Sequence, residues 1–173
     1  MDDQDTATTP DATTEPTLAN GADNLPAIGM ISQYVKDLSF ESPSAPAIFQ
    51  APVQPNIEVE FGIAATQVGE EVHEVTLKIE VRAKAEEQTA FIVDLTYAGL
   101  FGVRNVPEDQ LQPFMLGEAP RLLFPFARRV VADAVRDGGF QPLMLDPIDF
   151  GSLYMQQLEA KQAAEAEGAA GNA

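Results

Sequence analysis

The chain has no cysteine, one histidine, and only 10 Lys and Arg among its 173 residues. Without cysteine there is no disulfide, no thiol nucleophile and no Cys-based zinc site. A chain so made suits a cytoplasmic location. Against the 10 basic residues stand 27 Asp and Glu, for a net charge of -17. Such a surface repels phosphate backbones and anionic membranes, so nucleic acid and membrane are not expected partners. Basic partners are. No apolar run approaches the ~18 residues that cross a bilayer. The opening stretch MDDQDTATTPDATTEP has no basic n-region and no apolar h-region, and is not expected to act as a secretory signal. Catalytic signatures are missing too: no G-x-G-x-x-G, no P-loop, no G-x-S-x-G and no D-x-D-x-D-G loop. His73, at the start of a strand pattern, reads as a satisfied rim residue, because acid–base sites need converging groups with shifted pKa values. No enzymatic activity, cofactor or metal is expected.

What is present is material for a core. Hydrophobic residues make up 45% of the chain, and its length predicts one domain. Residues 1–27 hold six acids and no Lys or Arg. They cannot bury enough apolar surface to offset their ordering entropy, so a disordered acidic tail is expected. The Ala/Glu/Gly-rich end KQAAEAEGAAGNA predicts a flexible tail over 159–173. The tails carry -6 and -2 of the net charge, which leaves -9 on the domain, 28–158.

Four segments alternate apolar and polar residues, the mark of strands with one face buried and one wet. In the first, about 30–41, Leu38 and Phe40 oppose Asp37, Ser39 and Glu41. Leu38 is expected in the core. In NIEVEFGIAAT, Ile57, Val59, Phe61 and Ile63 oppose Glu58 and Glu60. In EVHEVTLKIEVRAKA, Val75, Leu77, Ile79, Val81 and Ala83 oppose Glu74, Thr76, Lys78, Glu80, Arg82 and Lys84. In TAFIVDLTYAGLF, Phe91, Val93, Leu95 and Tyr97 oppose Ile92, Asp94 and Thr96. The links QVGEE and AEEQ fit hairpin turns, so strands two to four predict an antiparallel meander. The link SPSAPAIFQAPVQP is rich in proline, which cannot donate to a ladder. It predicts a long crossover with Ile48, Phe49 and Val53 exposed.

After Gly102 the period changes. Pro107, Glu108 and Asp109 form a helix start, and Gly138-Gly139 a stop. Between them Leu123, Phe126/Ala127, Val130 and Ala134 recur at helical spacing. Pro113, Pro120 and Pro125 each remove a backbone donor. A long kinked helix is expected, regular over about 120–137. DPIDFGSLYMQQL predicts a short helix with an acidic cap and a stripe of Phe150, Leu153, Tyr154 and Leu158. The fold class is α+β: a four-stranded antiparallel sheet with a long kinked helix and a short C-terminal one. A helix ~10–12 Å across cannot cover four strands spaced ~4.8 Å apart. The uncovered apolar surface predicts self-association.

Glu58, Glu60, Glu74, Glu80 and Asp94 fall on the wet face of the sheet, where a solubilising role is the simplest reading. Lys78, Arg82 and Lys84 interleave them, which argues against a metal site. Phe124, Phe126, Phe140, Met144, Phe150, Tyr154 and Met155 crowd the last third of the chain. Core packing accounts for most of them; a groove for apolar segments, which Met and aromatic faces suit, is the alternative.

The segments YVKDLSFESPSAP, TAFIVDLTYAGLF, GEAPRLLFPFARRVVADAVRDGGF and LDPIDFGSLYMQQL run in this order from about residue 30 to 158. Together they resemble the SecB family of protein-export chaperones. The resemblance implies a cytoplasmic homotetramer, a dimer of dimers with the long helices between the sheets. It implies an ATP-independent, cofactor-free holdase that binds unfolded precursors of exported proteins and hands them to the SecA ATPase. Asp37, Glu41, Ile92 and Asp94 match the family's SecA-binding face. Phe40, Phe49, Phe150 and Tyr154 match its client groove, and Val93, Leu95 and Tyr97 match positions near the subunit contacts. Some members carry Trp in the crossover where this chain has Val53. Two other readings remain: a SecB-like chaperone of a toxin–antitoxin system, and a small β-sheet enzyme or ligand-binding protein, which a buried polar pocket would favour.

Overall fold

A computed structural model describes residues 24–50 and 54–170, and of 167–170 the backbone alone. Most of the acidic N-terminal tail, Val53 and residues 171–173 therefore lie outside the described residues. Strands β1 (Ala27–Glu41), β2 (Asn56–Gly69), β3 (Val72–Ala85) and β4 (Gln88–Arg104) form one antiparallel sheet in the order β1-β4-β3-β2. Tight turns at 70–71 and 86–87 close the expected meander. Because β1 pairs with β4, the crossover carries the chain across three inter-strand steps, roughly 14 Å. It is tied down where it begins: Ser42 Oγ donates to the Ala90 carbonyl at 2.8 Å, and the Ile48 N–H to the Ser44 carbonyl at 2.9 Å. The resulting 3-10 turn (Ala47–Gln50) points Ile48 inward, 7% exposed, and corrects the expectation that it is exposed; Phe49 does remain half exposed.

The long helix changes its winding near Pro113 and Pro120, whereas Pro125 lies inside α2 without interrupting it. Helix α1 (Glu108–Pro113) runs into a π-helical turn (Phe114–Glu118) and then into α2 (Ala119–Asp137). Pro113 closes α1. Pro120 sits in the first turn of α2, just after the Ala119 N–H closes the π-turn onto the Phe114 carbonyl, and has no N–H with which to continue that pattern. Ala119, Leu123, Ala127, Val131 and Val135, four residues apart, are all 0% exposed. The buried stripe is therefore offset from the expected one, and Phe126 turns outward at 44% exposure. Adjacent residues lie 100° apart on a helix, so Phe124 takes the inward place instead.

Helix α2 lies over the middle of the sheet. Val75, Leu77, Ile79, Val81 and Ala83 on β3, with Val93 and Leu95 on β4, are fully enclosed. Its cover reaches β1 only at the end of α2, where Gly138 meets Phe40. Met30, Val35 and Leu38 pair with Phe101, Tyr97 and Leu95 and so share the helix side, yet are 38%, 44% and 43% exposed. Leu38 is thus not in the core: its parity is right, but at 43% exposure it is left largely uncovered by the described residues. This is the uncovered apolar surface that the width of one helix predicts.

The C-terminal helix is not short. Helix α3 (Phe150–Ala170) has 21 residues. Asp149 caps it, accepting from the Ser152 N–H at 3.0 Å and from Ser152 Oγ at 2.7 Å. These two bonds, the backbone one first, hold the Asp149 carboxyl below the usual carboxylate range. Phe150, Leu153, Tyr154 and Leu158 are its less exposed residues, as the stripe predicts. Beyond them the helix continues to Ala170, through residues expected as a flexible tail. Ala, Glu, Gln and Lys are strong helix formers, so a helix started by packing propagates into solvent.

Candidate functional site

Two surfaces stand out, one on each side of the sheet. On the side away from α2, register sets Glu41 beside Ile92, Ser39 beside Asp94 and Asp37 beside Thr96. Asp37, Glu41, Ile92 and Asp94 are therefore close neighbours on one open face, although more than 50 residues separate Asp37 from Ile92 and Asp94 in the chain. Lys78 enters the same face from β3, with Nζ 2.6 Å from Glu80 and 3.7 Å from Asp94. The Glu80 hydrogen bond and then the Asp94 charge raise the Lys78 pKa, and Lys78 lowers that of Glu80. Nearer the other end, Glu74 accepts from Lys36 Nζ at 2.5 Å and from the Tyr34 hydroxyl. The Lys36 bond first and the Tyr34 bond second hold the Glu74 carboxyl below the usual range, and the same contact raises Tyr34.

The Glu74 cluster joins β1 to β3 across β4, and its carboxylate is only 14% exposed. Its folded pKa is depressed, so its stabilisation is full above the unfolded value near ~4.3 and is lost as pH falls through the folded value. Glu74→Gln is expected to lower stability at pH 7 by about 1 kcal/mol, since it removes charge-assisted bonds from a mostly covered group. Urea unfolding at pH 7 and at about pH 3.5 checks this: the difference between parent and variant should shrink at the lower pH.

On the helix side, a cavity of about 670 Å³ opens between the crossover, the β3–β4 turn and the chain after α2; its walls include Ile48, Phe49, Phe91, Phe140 and Leu143. The Phe140 ring lies 4.9 Å from Phe91, 5.1 Å from Phe49 and 6.5 Å from Phe40. Phe40 stacks on Phe91 at 6.0 Å. The helix stop places Phe140. Gly139, at φ 90, donates its N–H to the Arg136 carbonyl at 3.0 Å, and the Phe140 N–H reaches back to Val135 at 3.2 Å. That is the double closure in which the residue after the left-handed glycine folds against its helix.

Phe40 and Phe49 are thus brought into one aromatic cluster. Phe150 and Tyr154 are not. Phe150 is 1% exposed, 5.6 Å from Phe124 and 6.5 Å from Phe61, because it opens the inward stripe of α3; Tyr154 is half-buried one turn later. Val93, Leu95 and Tyr97 lie beneath α2, 0%, 0% and 7% exposed, enclosed by the chain itself. Phe91 and Phe140 are groove walls that alternation and clustering read as core. Phe140 had a signal, as the apolar residue directly after Gly-Gly. His73 lines a second cavity, about 640 Å³, rimmed by Glu70, Glu71 and Glu108. Its Nδ1 is buried without a hydrogen-bond partner among the described residues, so the expectation of a satisfied rim histidine is corrected. Among the described residues no three His, Asp or Glu converge to hold a metal ion, and no helix is long and apolar enough to cross a membrane.

An aromatic-walled groove on one side of a four-stranded sheet and a charged face on the other describe an α+β protein with two candidate binding surfaces. The family described as SecB, preprotein translocase subunit SecB, matches residues 21–161. The protein-export protein SecB of Rhizorhabdus wittichii is 62% identical over 157 residues, 91% of this chain and 95% of that one. That of Sphingopyxis alaskensis is 64% identical over 143 residues, 83% of each chain. The chain belongs to the SecB family. Among solved structures, a Mycobacterium tuberculosis SecB-like chaperone in complex with an antitoxin peptide shares the fold, with a TM-score of 0.60 over 70% of this chain and 90% of that one, at 19% identity.

Proposed function

We propose that this chain is an ATP-independent holdase of the cytoplasm. It binds unfolded precursors of exported proteins, keeps them competent for translocation and delivers them to SecA. The observation that carries the reading is the match to protein-export relatives at 62–64% identity, in a chain whose groove keeps Phe49 half exposed to solvent. An unfolded precursor exposes apolar segments that fit such a groove, and a slow folder stays open long enough to be caught. Basic stretches in the precursor are attracted by the -17 charge, within the ~8 Å reach that physiological salt allows. Asp37, Glu41, Ile92 and Asp94 form the SecA-binding face. Phe40 and Phe49 are the groove's aromatic contacts, with Phe91 and Phe140, while Phe150 packs outside that cluster on Phe124 and Phe61 and Tyr154 follows it one turn later on α3.

The functional unit in this reading is a homotetramer. Met30, Val35 and Leu38 on β1, together with Leu122 and Phe126 on α2, supply exposed apolar area for a second copy to cover. Val93, Leu95 and Tyr97 would then act on assembly from beneath, by shaping the surface that meets the second copy. A ligand-binding protein would call for polar residues in its interior, whereas no polar or charged residue is buried as a whole among the described ones, and His73 contributes a single buried nitrogen. The test is aggregation of a chemically unfolded precursor without ATP, with light scattering on the same sample. Suppression by a particle of four 18.6 kDa chains is expected. No suppression at excess protein, or a monomer, would sink the reading.

A further inference from the structure

The outer face holds a cation where a basic partner would dock. Register aligns Glu60, Glu80 and Asp94 in one row across β2, β3 and β4. Like charges placed directly opposite repel. Among the described residues Lys78 alone bridges two members of that row, at 2.6 Å from Glu80 and 3.7 Å from Asp94. Asp37 and Glu41 have no ion pair among the described residues and lie open. Of the three acids assigned to the docking face, only Asp94 is therefore occupied. The two contacts of Lys78 differ in kind. The one to Glu80 is a close hydrogen-bonded pair, and the one to Asp94 is loose.

We propose that Lys78 is a built-in competitor on this face: it holds Asp94 in the free protein and yields it to a basic group of the partner on docking, so that it sets the affinity of that contact. The inference rests on the reading of this face as the SecA-binding surface. The exchange needs little motion, because Lys78 keeps its close bond to Glu80 while the loose one is replaced. It is also easily made, because Lys78 is 48% exposed and half-exposed pairs are weak. Once the partner is seated, the Lys78 ammonium remains beside an incoming cation. This repulsion discriminates against partners whose own basic group does not reach Asp94.

The experiment is SecA affinity, by calorimetry at low and physiological salt, for the parent, Lys78→Gln and Lys78→Glu. All proteins are first matched by circular dichroism and melting profile, which the surface position of Lys78 should leave nearly unchanged. Lys78→Gln is expected to bind SecA about three- to fivefold more tightly, and Lys78→Glu more tightly still, both with a steeper salt dependence. Unchanged or weaker binding by both variants overturns the proposal. A third arm, Asp37→Lys with Asp94→Lys, separates the two levels. If that variant loses SecA while the Lys78 variants bind as the parent does, the competitor role alone fails. If it binds SecA normally, the docking face fails and the role of Lys78 with it.

Discussion

Asp37→Lys combined with Asp94→Lys should abolish SecA binding, a loss of at least about a hundredfold, and leave precursor binding intact. The size follows from where the two acids stand. Asp37 pairs with Thr96 and Asp94 with Ser39, so they occupy adjacent rows of one open face rather than opposite ends of it. Reversing both changes the local charge by four units within the footprint of a single docked segment. Contact charges matter more here than the net -17, because salt screens the remainder of the surface beyond ~8 Å. The fold should tolerate the change. Asp37 is exposed, and the pair that Asp94 loses is the loose one to Lys78 at 3.7 Å. Precursor binding should persist because the Phe40–Phe49–Phe140 cluster projects from the opposite side of the sheet. SecA affinity and suppression of precursor aggregation, measured on the same preparation, check both halves. Equal loss of both would mean that the variant is misfolded or that the two surfaces are coupled. Unaltered SecA affinity would remove the outer face from the reading.

How much of this was legible in the sequence depends on which neighbour a residue needs. Alternation placed Ile79 and Leu95 on one side and Glu80 and Asp94 on the other, and both rows lie as read, since each strand has partners on both sides and a helix above. Leu38 shows the limit. Period 2 says which side a residue faces, not whether anything covers that side, and β1 is an edge strand that α2 meets only at its end, beside Phe40, and leaves bare at Leu38. Ile48 shows another: a proline-rich crossover looks exposed until a 3-10 turn folds one of its residues under. Phe126 and Phe124 were inseparable by spacing alone, because the first turns of α2 lie beside a π-turn that resets the phase. The proposed docking face depends on pairing of β1 with β4 across a long connection, which no local pattern encodes; family resemblance singled out those four residues, and the register sets them together on one face. Phe140 was readable, had the residue after Gly-Gly been treated as part of the helix stop.

Gly138→Ala is expected to destabilise the protein by about 2–3 kcal/mol and lower its melting temperature by roughly 5–10 °C, although alanine is the better helix former. The backbone does not require glycine there: Gly138 has φ -74 and ψ 0, open to any residue. The obstacle is Phe40. A Cβ on Gly138 would stand 2.5 Å from Phe40 Cε1, 2.8 Å from Cε2 and nearer still to Cζ. The ring has no easy retreat, with Phe91 stacked on it at 6.0 Å and Phe140 at 6.5 Å. Expelling it forfeits its burial and disorders the wall that Phe40 shares with Phe140 and Phe49, so precursor affinity should fall by about tenfold. The neighbouring glycine fails for a different reason. Gly139 sits at φ 90, where any side chain strains the backbone whatever the space around it. A double-mutant cycle separates the two. In a Phe40→Ala background, Gly138→Ala should cost almost nothing, because the ring it strikes is gone, while Gly139→Ala should cost as much as it does in the parent. Urea denaturation of the set reads the coupling directly. A cost for Gly138→Ala that is the same with and without the Phe40 ring would show that Gly138 is kept for its backbone, and that Phe40 is not held against the end of α2 as the structure has it.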